Sequence, residues 1–182
     1  PTLVFAPIKK QRLDFLIEKS VELGVGKLQP IITQHGITDK VRLDRLQAQV
    51  IEAAEQCERL TVPEIAAPVR LLDWVANGAE NHHVLFCDET GTGSPIGEVL
   101  SQLLAKGAGS VIDNTNVVNH ALVIGPEGGF SADELERIRK QPFATPVSLG
   151  PRILRAETAA IAALAVFQDR IGDWSHRPVT RD

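Results

Sequence analysis

Five short apolar runs, each followed by a segment of helical periodicity, constrain how this 182-residue chain can fold. The runs are predicted as strands and cover 2–7, 27–33, 82–89, 120–125 and 145–150. After them, apolar side chains recur every three or four positions, which predicts helices over 9–26, 43–59, 94–106, 132–141 and 153–174. Because strands that alternate with helices run parallel in one sheet, we predict an α/β fold whose mostly parallel sheet is covered by helices on both faces.

Local residue choices add detail to these elements. Pro30 lies within the second run and indicates an irregular or edge strand, because proline has no N–H to donate to a neighbouring strand. Ser131 and Glu134 have the spacing of a capping box at the start of the fourth helix. The last helix is rich in alanine and apolar on more than one face, so we expect it to pack on two sides. Residues 107–119 are polar and predict a loop.

Three helices carry further signals at particular positions. Gly24 and Gly26 close the first helix, since glycine commonly ends a helix. Pro95 is predicted in the first turn of the third helix, a position that tolerates proline. In the second helix, the spacing predicts a buried face that consists of Leu43, Leu46, Val50, Ile51 and Ala54.

Composition excludes several classes of protein. A hydrophobic content of 43% is typical of one domain with a substantial core. The net charge of -4 gives no overall basic field, so contact with nucleic acid requires a local basic patch or a partner. Cys57 and Cys87 show no metal-binding spacing, which argues against a metal site and a disulfide framework and favours a reducing compartment. No apolar run has the roughly 20 residues of a membrane span, and no signal peptide is visible, so we expect a cytoplasmic protein.

The segments that follow the last three strands are the candidates for a ligand site, since ligands of parallel sheets bind outside the carboxyl ends of the strands. These segments read CDETGTG (87–93), IGPEGGF (124–130) and LGPRILR (149–155). Neither GxxxxGK[ST] nor a GxGxxG after a strand occurs in the chain, which argues against a P-loop and an ordinary dinucleotide site. The glycine corners themselves are therefore the remaining candidates for a ligand site.

In the first corner, Pro126 fixes one backbone angle, while Gly128 and Gly129 allow a ligand to approach bare backbone. Glu127 has two interpretations, either bracing the turn or meeting a cationic or hydroxyl-bearing ligand. In the second corner, Arg152 and Arg155 would share a face if the last helix has already begun there. Arg155 either pairs with a helix acid such as Glu157 or contacts an oxygen-rich substrate.

Four motifs together resemble a known family. The pair IGPEGGFSADE and SLGPRILRAETA is similar to the signature of the 16S ribosomal RNA uracil-N3 methyltransferases, the RsmE-like family of the SPOUT superfamily. APIKKQRLDFLIEKSVELGV resembles the first helix of that family, and VIEAAEQCERLTVPEI resembles its second helix and the following strand. The resemblance covers essentially the whole chain and implies a deep C-terminal trefoil knot, a rare exception among folds.

The resemblance also implies a cofactor, S-adenosylmethionine, and a reaction, methyl transfer to N3 of a uridine in 16S ribosomal RNA. Arg155 would stabilise the negative charge of the uridine, and Glu127 would brace its corner or, like solvent hydroxide, serve as the base. Thr90 and Gly91 would lie near the cofactor. The remaining residues expected around the adenosine are Ile124, Gly125, Gly129, Leu149, Gly150, Ile153 and Leu154.

The RNA-binding residues implied by the family pattern lie on the first two helices: Lys9, Arg12, Lys19, Gln56 and Arg59. The alternatives for these helices are a solvated face or a dimer interface, since family members act as homodimers. A PUA-like RNA-binding domain that precedes this domain in the family is absent here, so we expect residues 1–182 to be the methyltransferase domain alone. The loop TQHGITDK departs from the family, where many members have an arginine near His35.

Two other functions compete with an enzyme that modifies the small ribosomal subunit. One is a knotted module that binds RNA or assists ribosome assembly without catalysis. The other is an unrelated α/β enzyme that binds nucleotides, which the missing P-loop disfavours.

Overall fold

The computed structural model describes residues 1–37, 41–106 and 119–176. The predicted polar loop therefore lies almost entirely outside the described residues. Strands and helices alternate through the described ranges in the order β1 Thr2–Phe5, α1 Lys10–Glu22, β2 Lys27–Ile32, α2 Leu43–Gln56, β3 Glu64–Ile65, β4 Val69–Arg70, α3 Leu71–Asn77, β5 His82–Cys87, β6 Ser94–Pro95, α4 Ile96–Ala105, β7 Asn119–Ile124, α5 Ala132–Arg139, β8 Ala144–Ser148 and α6 Ala156–Arg170.

The strands form one sheet in the order β3-β2-β1-β7-β5-β8-β6, with β4 paired to β2 beside β3. Each pairing between these strands is parallel. The predicted α/β class and parallel sheet are thus confirmed. Strand β7 lies between β1 and β5, and β8 lies on the far side of β5, so three strands that are distant in sequence become neighbours.

Strand β2 is irregular, as Pro30 predicted, but it is not an edge strand. Its outer side pairs first with β3, at Lys27 and Leu28, and then with β4, at Ile31 and Ile32. The gap between the two pairings contains Pro30, which has no N–H to offer. Gln29 spans the gap, because its side-chain amide donates to the carbonyl of Ala67 at 2.9 Å.

The sheet separates two apolar layers, since alternate strand residues point to opposite faces. Helices α1, α2, α4 and α6 cover one face, against strand side chains that include Leu3, Phe5, Leu28, Leu85 and Leu122. Helices α3 and α5 cover the other face, against Val4, Ile31, Val84, Phe86 and Val123. The prediction that helices cover both faces is confirmed.

Helix α6 is enclosed on several sides. It contacts α1, α4 and strand β7. Its small buried residues Ala159, Ala160 and Ala163 allow this close approach. The expectation of packing on two sides is therefore confirmed.

Some boundaries and faces differ from the sequence prediction. Strand β8 ends at Ser148 and α6 begins at Ala156, so the predicted helix start at 153 is wrong and 149–155 is a loop. The condition under which Arg152 and Arg155 would share a helical face is therefore not met. In α2, Ile51 is 41% exposed, whereas Ala53 takes the buried position. Pro95 precedes α4 as its N-cap instead of lying in its first turn.

Helix α3, together with β4 and β6, was missed, whereas β3 agrees with the strand that the family resemblance implied after the second helix. Each of these strands has two residues and α3 has seven. Such segments are too short to show a period. The capping box of Ser131 and Glu134 is confirmed, with both reciprocal hydrogen bonds present.

The enclosed position of α6 predicts that Ala160→Leu lowers the free energy of unfolding by about 1–3 kcal/mol, the usual cost of overpacking a core. Urea denaturation measures the change. Thr158→Leu on the same helix is the matched control, because Thr158 is exposed. We expect the control to stay within about 0.5 kcal/mol of the wild type, and equal effects of the two substitutions would contradict the packing described here.

Candidate functional site

A cavity of about 520 Å³ opens at the carboxyl ends of β5, β7 and β8. Its volume lies within the range of small-molecule and cofactor sites. It is lined by the loops that follow these strands, by Arg12 of α1 and by the first residues of α6. The two glycine corners singled out in the sequence therefore meet in one place, together with the loop after β5.

The first corner is closed by a tight turn in which the Gly129 N–H donates to the carbonyl of Pro126 at 3.0 Å. Gly129 has φ +73°, in the left-handed region that favours glycine. A Cβ on Gly129 would also lie 2.0 Å from a carboxylate oxygen of Glu89. That same oxygen accepts a hydrogen bond from the Phe130 N–H at 3.0 Å. The left-handed turn therefore favours glycine at this position, and a side chain there would also displace the carboxylate of Glu89.

The second corner presents bare backbone to the cavity. Gly150 has φ +105°, and a Cβ built on it would meet no heavy atom within 4 Å. The same is true of Gly91 in the loop after β5, which has φ +79°. Because both glycines line the cavity, a side chain at either position would occupy space that a ligand could otherwise use. Ile153, in the same corner, is 98% exposed.

Asp88 organises the loop after β5. Its side chain has no solvent exposure and pairs with Arg139 of α5 at 2.5 Å. It also accepts hydrogen bonds from the Thr90 N–H at 2.9 Å and from the hydroxyls of Thr90 and Thr92, each at 2.7 Å. Burial by itself would raise the pKa of Asp88, but the bonds from Arg139, Thr92 and Thr90 outweigh it and lower the pKa to about 2. Asp88 is therefore a stable anion.

Two neighbours of Asp88 that line the cavity have raised pKa values. Burial raises the pKa of Glu89, with a further contribution from the charge of Asp88, against the opposing hydrogen bond from Phe130 and the charge of His35. Burial raises the pKa of the Cys87 thiol to about 12, so the thiolate needed for nucleophilic chemistry is not available at neutral pH. Thr90 does not line the cavity, and its hydroxyl is bound to Asp88 and Arg139.

Arg12 joins the first helix to the first corner and to α6. One guanidinium nitrogen contacts Oε1 of Glu127 at 2.5 Å, and the other lies 3.9 Å from Oε1 of Glu157 in the first turn of α6. Glu157 is only 7% exposed, and its second oxygen has no hydrogen-bond partner among the described residues. The ion pair with Arg12 joins Glu127, and with it the first corner, to α1. Arg12 also lines the cavity.

Arg155 is the exposed N-cap of α6 and lines the cavity. The described ranges contain no ion pair or hydrogen bond of its guanidinium, and the carboxylate considered as its partner, Glu157, faces Arg12 instead. Arg152 is likewise exposed and lines the cavity. Arg155 and Glu127 both line the cavity, together with six of the residues predicted around the adenosine, which are Ile124, Gly125, Leu149, Gly150, Ile153 and Leu154. Gly129, which was also predicted there, does not line the cavity but closes the turn of the first corner.

The other predicted RNA-binding residues lie away from the cavity. Lys9 is exposed just before α1, and Gln56 is exposed at the end of α2. Lys19 contacts Glu18 and Glu22, each at 2.7 Å. Arg59 donates to the carbonyl of Val21 at 2.9 Å and to that of Val25 at 2.8 Å, which satisfies the end of α1. Contact of these side chains with RNA stays a prediction.

Sequence reasoning missed Asp88, Glu89 and Arg139. The acidic pair directly after β5 was a usable signal, because side chains at strand ends line ligand sites. Arg139 gave no such signal, as it is separated from Asp88 by 51 positions and no pattern links the two.

No group of three or more His, Cys, Asp or Glu side chains in the described ranges could hold a metal ion. None of the helices described is long and apolar enough to cross a membrane.

Comparison with known proteins decides the family. A family model for an RNA methyltransferase domain matches residues 1–168. The chain belongs to this RNA methyltransferase domain family. The resemblance inferred from the four motifs is thereby confirmed.

Named relatives agree with this membership. The ribosomal RNA small subunit methyltransferase E of Rickettsia conorii is 36% identical over 164 residues, and that of Buchnera aphidicola subsp. Schizaphis graminum is 35% identical over 173 residues. The alignments cover 90% and 92% of this chain but only 62% and 64% of the relatives. The chain thus spans less than two thirds of the length of these curated relatives.

Solved structures of the family have the same fold. The ribosomal RNA small subunit methyltransferase E from Neisseria gonorrhoeae, bound to S-adenosyl methionine, matches with a TM-score of 0.79 and 30% identity, over 95% of this chain and 67% of that one. A putative methyltransferase from Legionella pneumophila, in complex with the same cofactor, matches with a TM-score of 0.74 and 31% identity, over 92% and 65%.

The first corner predicts the effect of a methyl group at Gly129. Gly129→Ala would place a side chain in the left-handed region and against Glu89, so we expect a loss of at least about 1–2 kcal/mol in the free energy of unfolding. Urea denaturation measures it. Gly97→Ala in α4 is the control, because the nearest atom to its Cβ is 3.9 Å away and alanine favours helices. A Gly129→Ala protein as stable as the wild type would contradict the described geometry.

Proposed function

We propose that this chain is the catalytic domain of an S-adenosylmethionine-dependent methyltransferase that acts on N3 of a uridine in 16S ribosomal RNA. The observation that carries the proposal is the meeting of the two signature corners, 124–130 and 149–155, around one cavity in a member of the RNA methyltransferase domain family. The named relatives are small-subunit ribosomal RNA methyltransferases, which supports the substrate class.

The cavity suits the proposed cofactor. Its volume is adequate, and the positions that a Cβ would fill at Gly91 and Gly150 are open. Backbone groups of the two corners can bind an adenine edge, while Ile124, Leu149 and Leu154 offer apolar contact. Two relatives of the same fold carry this cofactor in their structures. We therefore assign cofactor binding to the two corners and to the loop after β5.

The knot is proposed on the order of the strands. Strand β7 lies between β1 and β5, β8 lies beyond β5, and the chain then returns so that α6 packs on α1 and β7. A C-terminal trefoil knot requires that the chain pass back into the domain after a loop such as 149–155, and the packing of α6 on α1 and β7 supports such a passage. We propose that residues 1–182 form one knotted methyltransferase domain, in which the knot holds both corners together.

The proposed chemistry needs a cation close to the reacting base. When bound, S-adenosylmethionine supplies an electrophilic methyl group. Loss of the N3 proton leaves negative charge on the uracil ring and its flanking oxygens. Arg155 is suited to stabilise that charge, because it lines the cavity and its guanidinium is not engaged by any carboxylate of the described residues.

The base in this reaction is either solvent hydroxide or Glu127. Arg12 already holds Oε1 of Glu127, so a base role would use the other oxygen of that carboxylate. The ion pair favours the role of a brace. Arg12 then acts on the site by fixing the first corner relative to α1 and α6, in addition to any contact with RNA.

RNA and a second copy of the chain are the proposed partners. Exposed basic side chains at the cavity, Arg152 and Arg155, and Lys9 before α1 are suited to contact phosphates. Ile153, at 98% exposure, presents apolar surface beside the site, and the half-exposed Trp174 presents apolar surface beyond the other end of α6. A homodimer that covers these side chains would remove them from water.

The cofactor gives the direct test of the proposed function. We expect S-adenosylhomocysteine to bind the folded protein in a calorimetric titration, and we expect the protein with S-adenosylmethionine to form 3-methyluridine in 16S ribosomal RNA, detected by mass spectrometry. Binding of RNA without binding of the cofactor would support a non-catalytic RNA-binding or assembly module. Cofactor binding with methylation at another atom would reject the N3 assignment alone.

Arg155→Ala separates catalysis from binding. We expect kcat to fall by roughly 10²- to 10³-fold, the usual loss when one group that stabilises transition-state charge is removed, while the Kd for S-adenosylhomocysteine changes little. Single-turnover methylation and calorimetry measure the two quantities. Arg170→Ala, at the exposed end of the same helix, is the control and should leave both unchanged. A large loss of cofactor affinity with unchanged kcat would reject the role proposed for Arg155.

A further inference from the structure

The carboxylate of Asp88 joins the loop that follows β5 to helix α5. We call residues 88–92 the acidic arm. Asp88, at its base, accepts bonds from three groups of the arm itself, namely the Thr90 N–H and the hydroxyls of Thr90 and Thr92. These bonds fold the acidic arm around the two carboxylate oxygens of Asp88. The arm then presents Glu89 and Gly91 to the cavity.

Arg139 completes this arrangement from behind the cavity. Its guanidinium donates to Asp88 at 2.5 Å, to Thr90 at 2.7 Å and to Thr92 at 3.1 Å. One side chain of α5 therefore contacts three residues of the arm. Arg139 itself does not line the cavity.

Helix α5 links the arm to the first glycine corner. The helix begins directly after that corner, where Ser131 and Glu134 form the capping box. Glu134 also accepts a hydrogen bond from the Gln34 N–H at 2.9 Å, which ties in the loop after β2. At the other end of the helix lies Arg139. A helix with both ends fixed in this way sets the distance between the corner and the arm.

The environment of this ion pair differs from that of a surface pair. Arg137 and Asp133 on the same helix are both 60% exposed, and pairs of that kind contribute little. Asp88 has no exposed side-chain surface, so loss of its cation would leave a buried charge that only two hydroxyls and one N–H stabilise. With Arg139 in place, the pKa of Asp88 is lowered to about 2, so the carboxylate is charged at neutral pH. Loss of Arg139 would remove the largest of the contributions that lower this pKa.

We infer that Arg139 is a positioning residue of the cofactor cavity, which acts through Asp88 to hold the acidic arm as the third wall of the site. The inference rests on the proposed function, because the ligand whose affinity reports it is the proposed cofactor. Without Arg139, the arm loses three hydrogen bonds, and Glu89 and Gly91 move relative to the first corner. Arg139 never touches the ligand in this scheme.

Calorimetric titration of S-adenosylhomocysteine into Arg139→Ala, Arg139→Lys and Arg137→Ala tests the inference. We expect Arg139→Ala to raise the Kd roughly tenfold, since displacement of a positioned group by a fraction of an ångström has effects of this order. Arg139→Lys keeps the charge but loses the planar set of guanidinium donors, so its Kd should lie between those of Arg139→Ala and the wild type. Arg137→Ala should bind like the wild type.

A second variant separates positioning from general loss of stability. Thr92→Val removes one hydroxyl that bonds to both Asp88 and Arg139 and lies outside the cavity lining. It should raise the Kd less than Arg139→Ala does, and the double variant should show less than the sum of the two effects, because both act on one network. Thermal unfolding of each variant, run in parallel, gives the fraction folded during titration.

The outcomes are distinguishable. If the wild type binds S-adenosylhomocysteine and Arg139→Ala binds it equally well, the inference is overturned while the proposed function stands. If Arg139→Ala does not fold, the inference is overturned when both Arg139→Lys and Thr92→Val bind S-adenosylhomocysteine with the affinity of the wild type. If the wild type itself binds no S-adenosylhomocysteine, the proposed function fails and the inference fails with it.

Discussion

The parallel order β7-β5-β8 is the constraint on which the site depends. Parallel neighbours all end at the same edge of a sheet, so the chain that leaves each of these strands must turn within a small space. Three segments separated widely in sequence, 88–92, 124–130 and 149–155, meet there for this reason. Glycines with φ above zero at positions 91, 129 and 150 allow the turns, and Gly91 and Gly150 leave bare backbone at the cavity.

Charge pairing then decides which side chains remain available for a ligand. Asp88 is paired with Arg139, and Glu127 with Arg12, while the buried Glu157 lies near that same Arg12. The first two pairs each join a loop of the cavity to a helix, and the contact between Arg12 and Glu157 joins α1 to α6. Arg155 has no such partner in the described parts of the chain. The electrostatic role that we propose for it follows from this difference, because a guanidinium already bound to a carboxylate is less able to stabilise new negative charge.

Much of the fold was predictable, because periodicity is a local property. Alternating strands and helices predicted the parallel sheet, Pro30 predicted an irregular strand, and Ser131 predicted the capping box, all of which the structure shows. Prediction was poorer where tertiary contacts override local pattern. Ile51 has helical spacing but faces outward, and the last helix begins three residues later than its apolar pattern suggests.

The sequence by itself determined the class of fold, the family and the two corners that line the cavity, since each depends on residues close together along the chain. Only the tertiary structure decided which charges pair. Arg12 with Glu127 and Arg139 with Asp88 bridge long stretches of sequence, and no local pattern indicates such partners. The physical reason is that a side chain finds its partner through the packing of whole helices on the sheet, and this packing is a property of the complete fold.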